Sequence, residues 1–163
     1  MSFDTKGYRL TPDDGPQVWF LNTRMNIKAG AAQTGGAFTL IEWSAPVGFG
    51  PPLHVHGVED EGFYILDGEI SVECGDQHFT AGPGDFTFLP RGIPHSFLVT
   101  QGPVRGLQIT APSGFEDFIT EIGHPATGPG LPEPTEPDLP RLIAAAQRHH
   151  QQILGPPPRS PAQ

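Results

Sequence analysis

The sequence predicts an all-β, single-domain protein of the jelly-roll kind, a β-sandwich or barrel followed by short C-terminal helices. Three observations carry that prediction. Within 163 residues, Gly (21) and Pro (20) are both abundant, which favours short strands joined by tight turns over long helices. Strand-like runs follow one another at short spacing with turn signals between them. One of these runs, EISVEC (69–74), alternates cleanly: Ile70, Val72 and Cys74 lie on one face, Glu69, Ser71 and Glu73 on the other. That is the pattern of a strand with one buried and one wet side.

The elements follow in order. Residues 1–36 read as an N-terminal arm, polar and turn-rich, with one early strand at QVWFLN (17–22). The core and its following helix occupy 37–123. It opens with AFTLIEWSA (37–45), β-branched and aromatic, bounded by Gly35-Gly36 and Pro46. FYIL (63–66), EISVEC, QHFTA (77–81), FTFLP (86–90), HSFLV (95–99) and RGLQIT (105–110) come next. Asp67-Gly68, Gly75-Asp76, Gly82 to Asp85 and Gly102-Pro103 supply the turns, the first closing a hairpin. Ser113 and Glu116 have capping-box spacing, and Phe115, Phe118, Ile119 and Ile122 form one apolar helical face that Gly123 ends. Residues 124–137 read as a Pro-rich extended linker. Residues 138–154 read as a second helix, capped by Asp138, with Leu139, Leu142, Ile143, Ala146, Ile153 and Leu154 as its apolar stripe. The tail, 155–163, is expected to be disordered.

Composition excludes several classes. Hydrophobic residues make up 36% and charged residues 17%, which is globular. The net charge of -9 has the wrong sign for a nucleic-acid partner. No apolar run approaches the ~20 residues that cross a bilayer, and the stretch MSFDTKGYRL lacks the basic and apolar regions expected of a secretion signal. Cys74 is the single cysteine, so an internal disulfide and a thiolate cluster are both excluded; a cytoplasmic location is expected. Any metal must be held by His, Asp or Glu.

His54 and His56 stand one residue apart. In a strand they point to the same side, as two ligands of one cation must. Glu61 follows five residues on, and His95 arrives after the stiff turn Pro90 to Pro94. Three imidazoles and a carboxylate suit a divalent transition ion (Ni, Co, Mn, Fe, Cu or Zn) and leave coordination positions open. Spacing alone leaves a second reading open, in which these are surface-loop histidines. Glu59 and Asp60 read as a solvated acidic turn, Cys74 as a small core residue, and His78 as structural. His124 reads as exposed, and His149 and His150 as residues at a helix C-terminus, His150 facing a packing or dimer contact.

Gly48-x5-His54-x-His56-x4-Glu61-x6-Gly68 resembles the first motif of the cupin superfamily, and Gly84-x5-Pro90-x-Gly92-x2-His95 resembles the second. The likeness covers residues 38–110. It departs at Val99, where the second motif usually ends in Asn, a position that is normally not a ligand. The resemblance implies a cupin jelly-roll β-barrel with one metal ion held by His54, His56, Glu61 and His95. The same segments, with PSGFEDFITEIGHPA, resemble small single-domain bacterial cupins related to quercetin 2,3-dioxygenase. That implies a metal-dependent dioxygenase cleaving a flavonol or related enolic aromatic with O2, Glu61 acting as ligand and general base. Strand parity places Phe63, Ile65 and Phe97 on the interior, and Trp43, Phe86 and Phe88 are further pocket candidates, so a small hydrophobic or aromatic substrate is expected. An isomerase, cyclase or lyase using the metal as a Lewis acid is the alternative, as is a non-catalytic metal- or ligand-binding cupin. A homodimer is expected, with the last helix as one possible contact.

Overall fold

The computed structural model of the chain describes residues 6–159. Its strands are β1 (Gln17–Phe20), β2 (Thr23–Ala29), β3 (Thr39–Ala45), β4 (Leu53–His56), β5 (Asp60–Cys74), β6 (Gln77–Ala81), β7 (Phe86–Leu89), β8 (His95–Ala111), β9 (His124–Pro125) and β10 (Gln151–Gly155). Three helices, α1 (Ala31–Thr34), α2 (Phe115–Ile122) and α3 (Leu139–Arg148), complete it. Every strand pairing is antiparallel.

Four of the short runs merge into two long strands. FYIL and EISVEC are one strand, β5, and HSFLV and RGLQIT are one strand, β8. The two pair from Asp60↔Ala111 to Cys74↔His95. Asp67-Gly68 is therefore not a hairpin turn. It is a bulge, with register shifts between Ile65 and Ile70. Gly68 has φ +79°, and a Cβ there would sit 2.5 Å from the Gln101 carbonyl oxygen. Only glycine fits where the two backbones approach so closely.

At this bulge both strands change partners. The first half of β5 pairs with β7, its second half with β6. The second half of β8 pairs with β3, which continues through β2 and β1 to β9; its first half meets β4 at His54↔His95, and β4 carries β10. The result is one wound sheet with the order β10-β4-β8-β3-β2-β1-β9. The ladder does not close into a barrel. Trp43 from β3, Phe63 from β5 and Phe97 from β8 meet in the core, all three ring pairs at 5.4 Å between centroids. Ile41, Ile65, Ile70, Val72 and Val104 fill the space around them with no exposure.

The N-terminal arm is more ordered than its polarity suggested. β2, TRMNIKA, has too weak an alternation to read as a strand, yet it pairs fully between β1 and β3. The Pro-rich segment carries no helix and only the short β9, and it is strapped to the sheet. The Trp19 indole donates to the Gly130 carbonyl at 3.0 Å, and the Asn22 amide exchanges hydrogen bonds with the Thr135 backbone at 3.0 and 2.9 Å.

The last helix is shorter than its apolar stripe predicted. Asp138 caps it by accepting from the Arg141 N–H, and it ends at Arg148. His150 then turns the chain with φ +58°, exposed rather than packed. Gln151–Gly155 runs as β10 against β4. Ile153 thus belongs to a strand, because β4 needs hydrogen-bond partners along its outer edge. β4 meets β8 at a single residue pair and would otherwise leave its backbone groups unpaired. Gly155, first residue of the expected tail, lies in this strand; residues 160–163 and 1–5, the latter part of the expected leaderless start, lie outside the described residues. None of the helices among the described residues is long and apolar enough to cross a membrane.

α2 begins one residue later than the capping box predicted. Gly114 is its N-cap, and Glu116 reaches the Gly114 N–H (2.9 Å) rather than Ser113. The same carboxylate accepts from the Ala31 N–H at 2.7 Å and from the Thr39 hydroxyl. It ties α1, β3 and α2 together. Burial pushes the Glu116 pKa up, but the Thr39 hydroxyl and the backbone N–H groups outweigh burial and hold it below the ordinary carboxyl range. This stabilisation is present above the pKa of the unfolded chain and lost as pH falls through the lower folded value. Glu116→Ala is expected to cost about 2–3 kcal/mol, since several donors lose a charged acceptor. Thermal unfolding at neutral pH should show the midpoint falling by about 5–10 °C, with the gap to wild type shrinking in acid.

Candidate metal centre

The four residues singled out by spacing converge. β4 presents His54 and His56 at alternate positions, β8 begins with His95, and β5 presents Glu61 at its second residue. One donor atom from each lies within 4.8 Å of the others. The imidazole centroids are 4.6 to 5.2 Å apart. His56, Glu61 and His95 are buried, at 0%, 4% and 1% exposure, and His54 is half-buried.

The outward nitrogen of each ring is already committed. His54 Nδ1 lies 2.6 Å from the Pro52 carbonyl oxygen and His95 Nδ1 lies 3.0 Å from that of Ile93. A carbonyl can only accept, so both Nδ1 atoms carry a proton, and the Nε2 atoms are the ones left to face the centre. His56 Nδ1 lies 2.9 Å from Glu59 Oε1. The inward His56 Nε2 is buried without any hydrogen-bond partner. Three imidazoles held from behind, with Nε2 atoms directed inward beside a carboxylate, fit a divalent transition ion that would replace the inward protons.

Glu59 is thus not the solvated residue its acidic surroundings suggested. It is 5% exposed, and it orients His56. Asp60 also has a definite task. Its carboxylate takes the Arg91 backbone N–H at 2.9 Å and two guanidinium N–H groups at 3.1 and 2.8 Å. This pins the turn before His95 to the start of β5, next to Glu61. The hydrogen bonds from Arg91 draw Asp60 down to about 2. Gln108 is a further neighbour: its amide donates to Glu61 Oε1, leaving Oε2 toward His95 at 2.8 Å and His56 at 3.5 Å. Gly106, Gln108 and Thr110 share the inward parity of β8, so an inward glutamine in RGLQIT was the signal that could have found it.

The electrostatics divide the histidines. Burial, with the neighbouring His95 and His56, pushes His54 down to about 4. Burial pushes His56 down too, but Glu61 and Glu59 together outweigh it and hold it up at about 9. Burial likewise raises Glu61, and His56 and His95 overcome that and keep it well below the usual carboxyl range.

The expected pocket residues divide as well. Trp43, Phe63, Ile65 and Phe97 face inward, but they are packed on one another in the core. Phe88 and Phe86 are 57% and 60% exposed on the outer face of β7, because Thr87 and Leu89 take the inward positions of that short strand. The cavity that His54 lines, ≈ 60 Å³, has other walls. Phe20 from β1, Phe115 and Phe118 from α2, Leu142 and Ala146 from α3, and Gln151 and Ile153 from β10 line it. The remaining histidines stay apart from the centre. His78 is 68% exposed and pairs loosely with Glu73 instead of packing, His124 is exposed, and His149 pairs with Glu121 at 2.7 Å. Cys74 is buried in the core, as its strand parity required.

Glu59→Gln tests the orienting role. Metal affinity is expected to fall by about 10–100-fold with little change in thermal unfolding of the metal-free protein, read by competition with a chelating dye. Unchanged affinity would leave Glu59 without that role.

Residues 42–110 match the family described as the cupin domain. Over 118 residues the chain is 27% identical to quercetin 2,3-dioxygenase of Bacillus subtilis, covering 72% of this chain and 35% of that one. Over 101 residues it is 30% identical to quercetin 2,3-dioxygenase of Aspergillus japonicus, covering 58% and 29%. The chain therefore spans about a third of the length of these relatives. Among solved structures, one described as a predicted oxalate decarboxylase from Thermotoga maritima superimposes with a TM-score of 0.55 at 22% identity, covering 61% of this chain and 94% of that one. At that identity the likeness speaks for the fold alone. Fold, motifs and sequence matches agree: residues 42–110 of the chain form a cupin domain, and the chain resembles quercetin 2,3-dioxygenases.

Proposed function

We propose that this protein is a metal-dependent dioxygenase acting on an enolic aromatic or related hydroxy-ketone, of which flavonols are one kind. The observation that carries the reading is the convergence of His54, His56, Glu61 and His95, each imidazole fixed from behind, with His54 also lining an apolar cavity. Similarity to two quercetin 2,3-dioxygenases supports the choice of reaction.

His54, His56, His95 and Glu61 would hold one divalent ion, which supplies positive charge to an enolate oxygen and open positions for reactants. The chain's own residues do the rest. Glu61 Oε2 accepts the enol proton, and the Gln108 amide keeps Oε1 occupied so that one oxygen faces the substrate. Phe20, Phe115 and Phe118 exclude water and present flat apolar surfaces to a ring. Pro52, Ile93 and Glu59 keep the imidazoles in one tautomer through the cycle.

An oxygen electrode checks this, with protein loaded in turn with Ni, Co, Mn, Fe, Cu and Zn and a panel running from flavonols to single-ring enolic hydroxy-ketones. Oxygen uptake matched to substrate loss is expected with at least one pair. Glu61→Gln should lower the rate by about 10²–10⁴-fold, the usual contribution of a positioned base. Turnover that proceeds without oxygen would replace this reading with Lewis-acid isomerase or lyase chemistry. No turnover with any pair would leave a binding protein.

The homodimer is proposed on a different surface from the last helix. Tyr64, Phe86, Phe88 and Ile109 are exposed on the outer face of the sheet, and the register places them side by side: Tyr64 opposite Phe86, and Gly62 between Phe88 and Ile109. One end of this patch carries Arg105 with Asp67 and Glu42, the other Arg91 with Asp60. With both signs of charge at both ends, the patch is complementary to a second copy of itself turned by a twofold axis. Phe86→Glu combined with Phe88→Glu should convert a dimer to a monomer in sedimentation without loss of bound metal. A monomeric wild type would sink this assignment.

A further inference from the structure

The cavity at His54 has one polar group that the centre does not use. β10 pairs Gln151 with His56 and Ile153 with His54. Directly opposed residues share a face, so Gln151 stands on the same side of the sheet as the two ligating imidazoles. It is 6% exposed, it lines the cavity, and its amide nitrogen has no hydrogen-bond partner. A buried unpaired amide costs about 1–3 kcal/mol. A surface strand has no reason to bear that cost; a binding site has one, if a ligand atom completes the bond. The other walls, Phe20, Phe115, Phe118, Leu142 and Ala146, offer no competing donor.

The size of the space restricts the ligand. At ≈ 60 Å³ it is well below the roughly 300–1,000 Å³ of sites for drug-sized molecules. It has room for about four waters by the volume one water needs. α3 and β10 form one side of it, and both are anchored: Leu142 and Ala146 are buried at 2% and 1%, and β10 is laddered to β4.

We propose that the substrate is a small, single-ring or acyclic planar molecule carrying a hydroxyl beside a carbonyl, and that Gln151 is the residue that positions it by donating to one of those oxygens. This rests on the dioxygenase reading for the second oxygen, which faces His54 and Glu61. It separates the present chain from an enzyme for a three-ring flavonol.

Equilibrium dialysis of the full metal-loaded chain tests it, with the enol of cyclopentane-1,2-dione, cyclopentene and quercetin as probes and metal content measured in parallel. The enol is expected to bind the wild type more tightly than quercetin does. Gln151→Leu should weaken enol binding by about tenfold or more, the equivalent of one hydrogen bond, with metal content and binding of cyclopentene, which has no oxygen to accept from Gln151, unchanged. A purely structural role would weaken both small probes together, and that result overturns the proposal. So does Gln151→Leu binding the enol as wild type does, or quercetin binding the wild type more tightly than the enol. Should Gln151→Leu fail to fold, Ala146→Leu narrows the cavity from α3 and is expected to abolish enol binding with metal retained; enol binding at wild-type strength overturns the proposal. Oxygen uptake distinguishes the two layers. Without uptake but with the expected binding pattern, Gln151 stands and the dioxygenase reading falls. With uptake but no dependence on Gln151, the reverse holds.

Discussion

The candidate metal centre depends on the fold of one ladder back upon itself. β5 and β8 pair along their whole length, yet Glu61 sits near one end of that ladder and His95 at the other, opposite Cys74. Thirteen residues of straight strand would separate them by roughly 40 Å. Their side chains instead stand 2.8 Å apart. The bulge at Gly68 makes the reversal possible, because the chain there needs a positive φ and has no room for a Cβ. The aromatic trio Trp43, Phe63 and Phe97 makes it favourable, since it joins residues from both halves of the ladder and buries each ring. Such rings bury large areas and add directional contacts. Core and centre are therefore two consequences of one bend.

This explains which features were legible in the sequence. Alternation is local, so the buried faces of β3, β5 and β8 and the common direction of His54 and His56 follow directly from it. Glycine and proline positions are legible too, but their meaning depends on what lies opposite. Asp67-Gly68 has the composition of a hairpin turn and is a bulge, because the strand it would end finds partners on both sides. The last helix failed for a related reason. Ile153 fits a helical stripe as well as a strand, and only the exposed edge of β4 selects the strand. Long-range pairing decides such cases, and a periodicity cannot contain it.

The acidic run beside the ligands shows the same limit at the level of side chains. Glu59, Asp60 and Glu61 are adjacent and chemically alike, and their three roles differ completely. Glu61 points into the centre, Asp60 points out to Arg91, and Glu59 turns back beneath His56. Parity separates Asp60 from Glu61, because neighbours in a strand face opposite ways. Glu59 precedes β5, where no periodicity applies, and its burial arises from the reversal between β4 and β5. Phe88 illustrates the converse. Its aromatic character suggested the interior, but β7 offers only alternate inward positions, and Thr87 and Leu89 occupy them.

Charge balance gives a further physical reason for the metal. Glu59 and Glu61 are both nearly fully buried beside the same imidazole. Two buried carboxylates are costly unless positive charge is placed with them. Neutral His54 cannot supply it: burial, together with the neighbouring His95 and His56, holds it at about 4. A proton on His56, held at about 9, compensates one charge and leaves the other to hydrogen bonds. A divalent cation compensates both, takes the inward lone pairs of all three rings, and leaves the outward N–H bonds to Pro52, Ile93 and Glu59 intact. The protonated imidazole holds Glu61 ionised, and a bound divalent cation would balance the second buried acid as well.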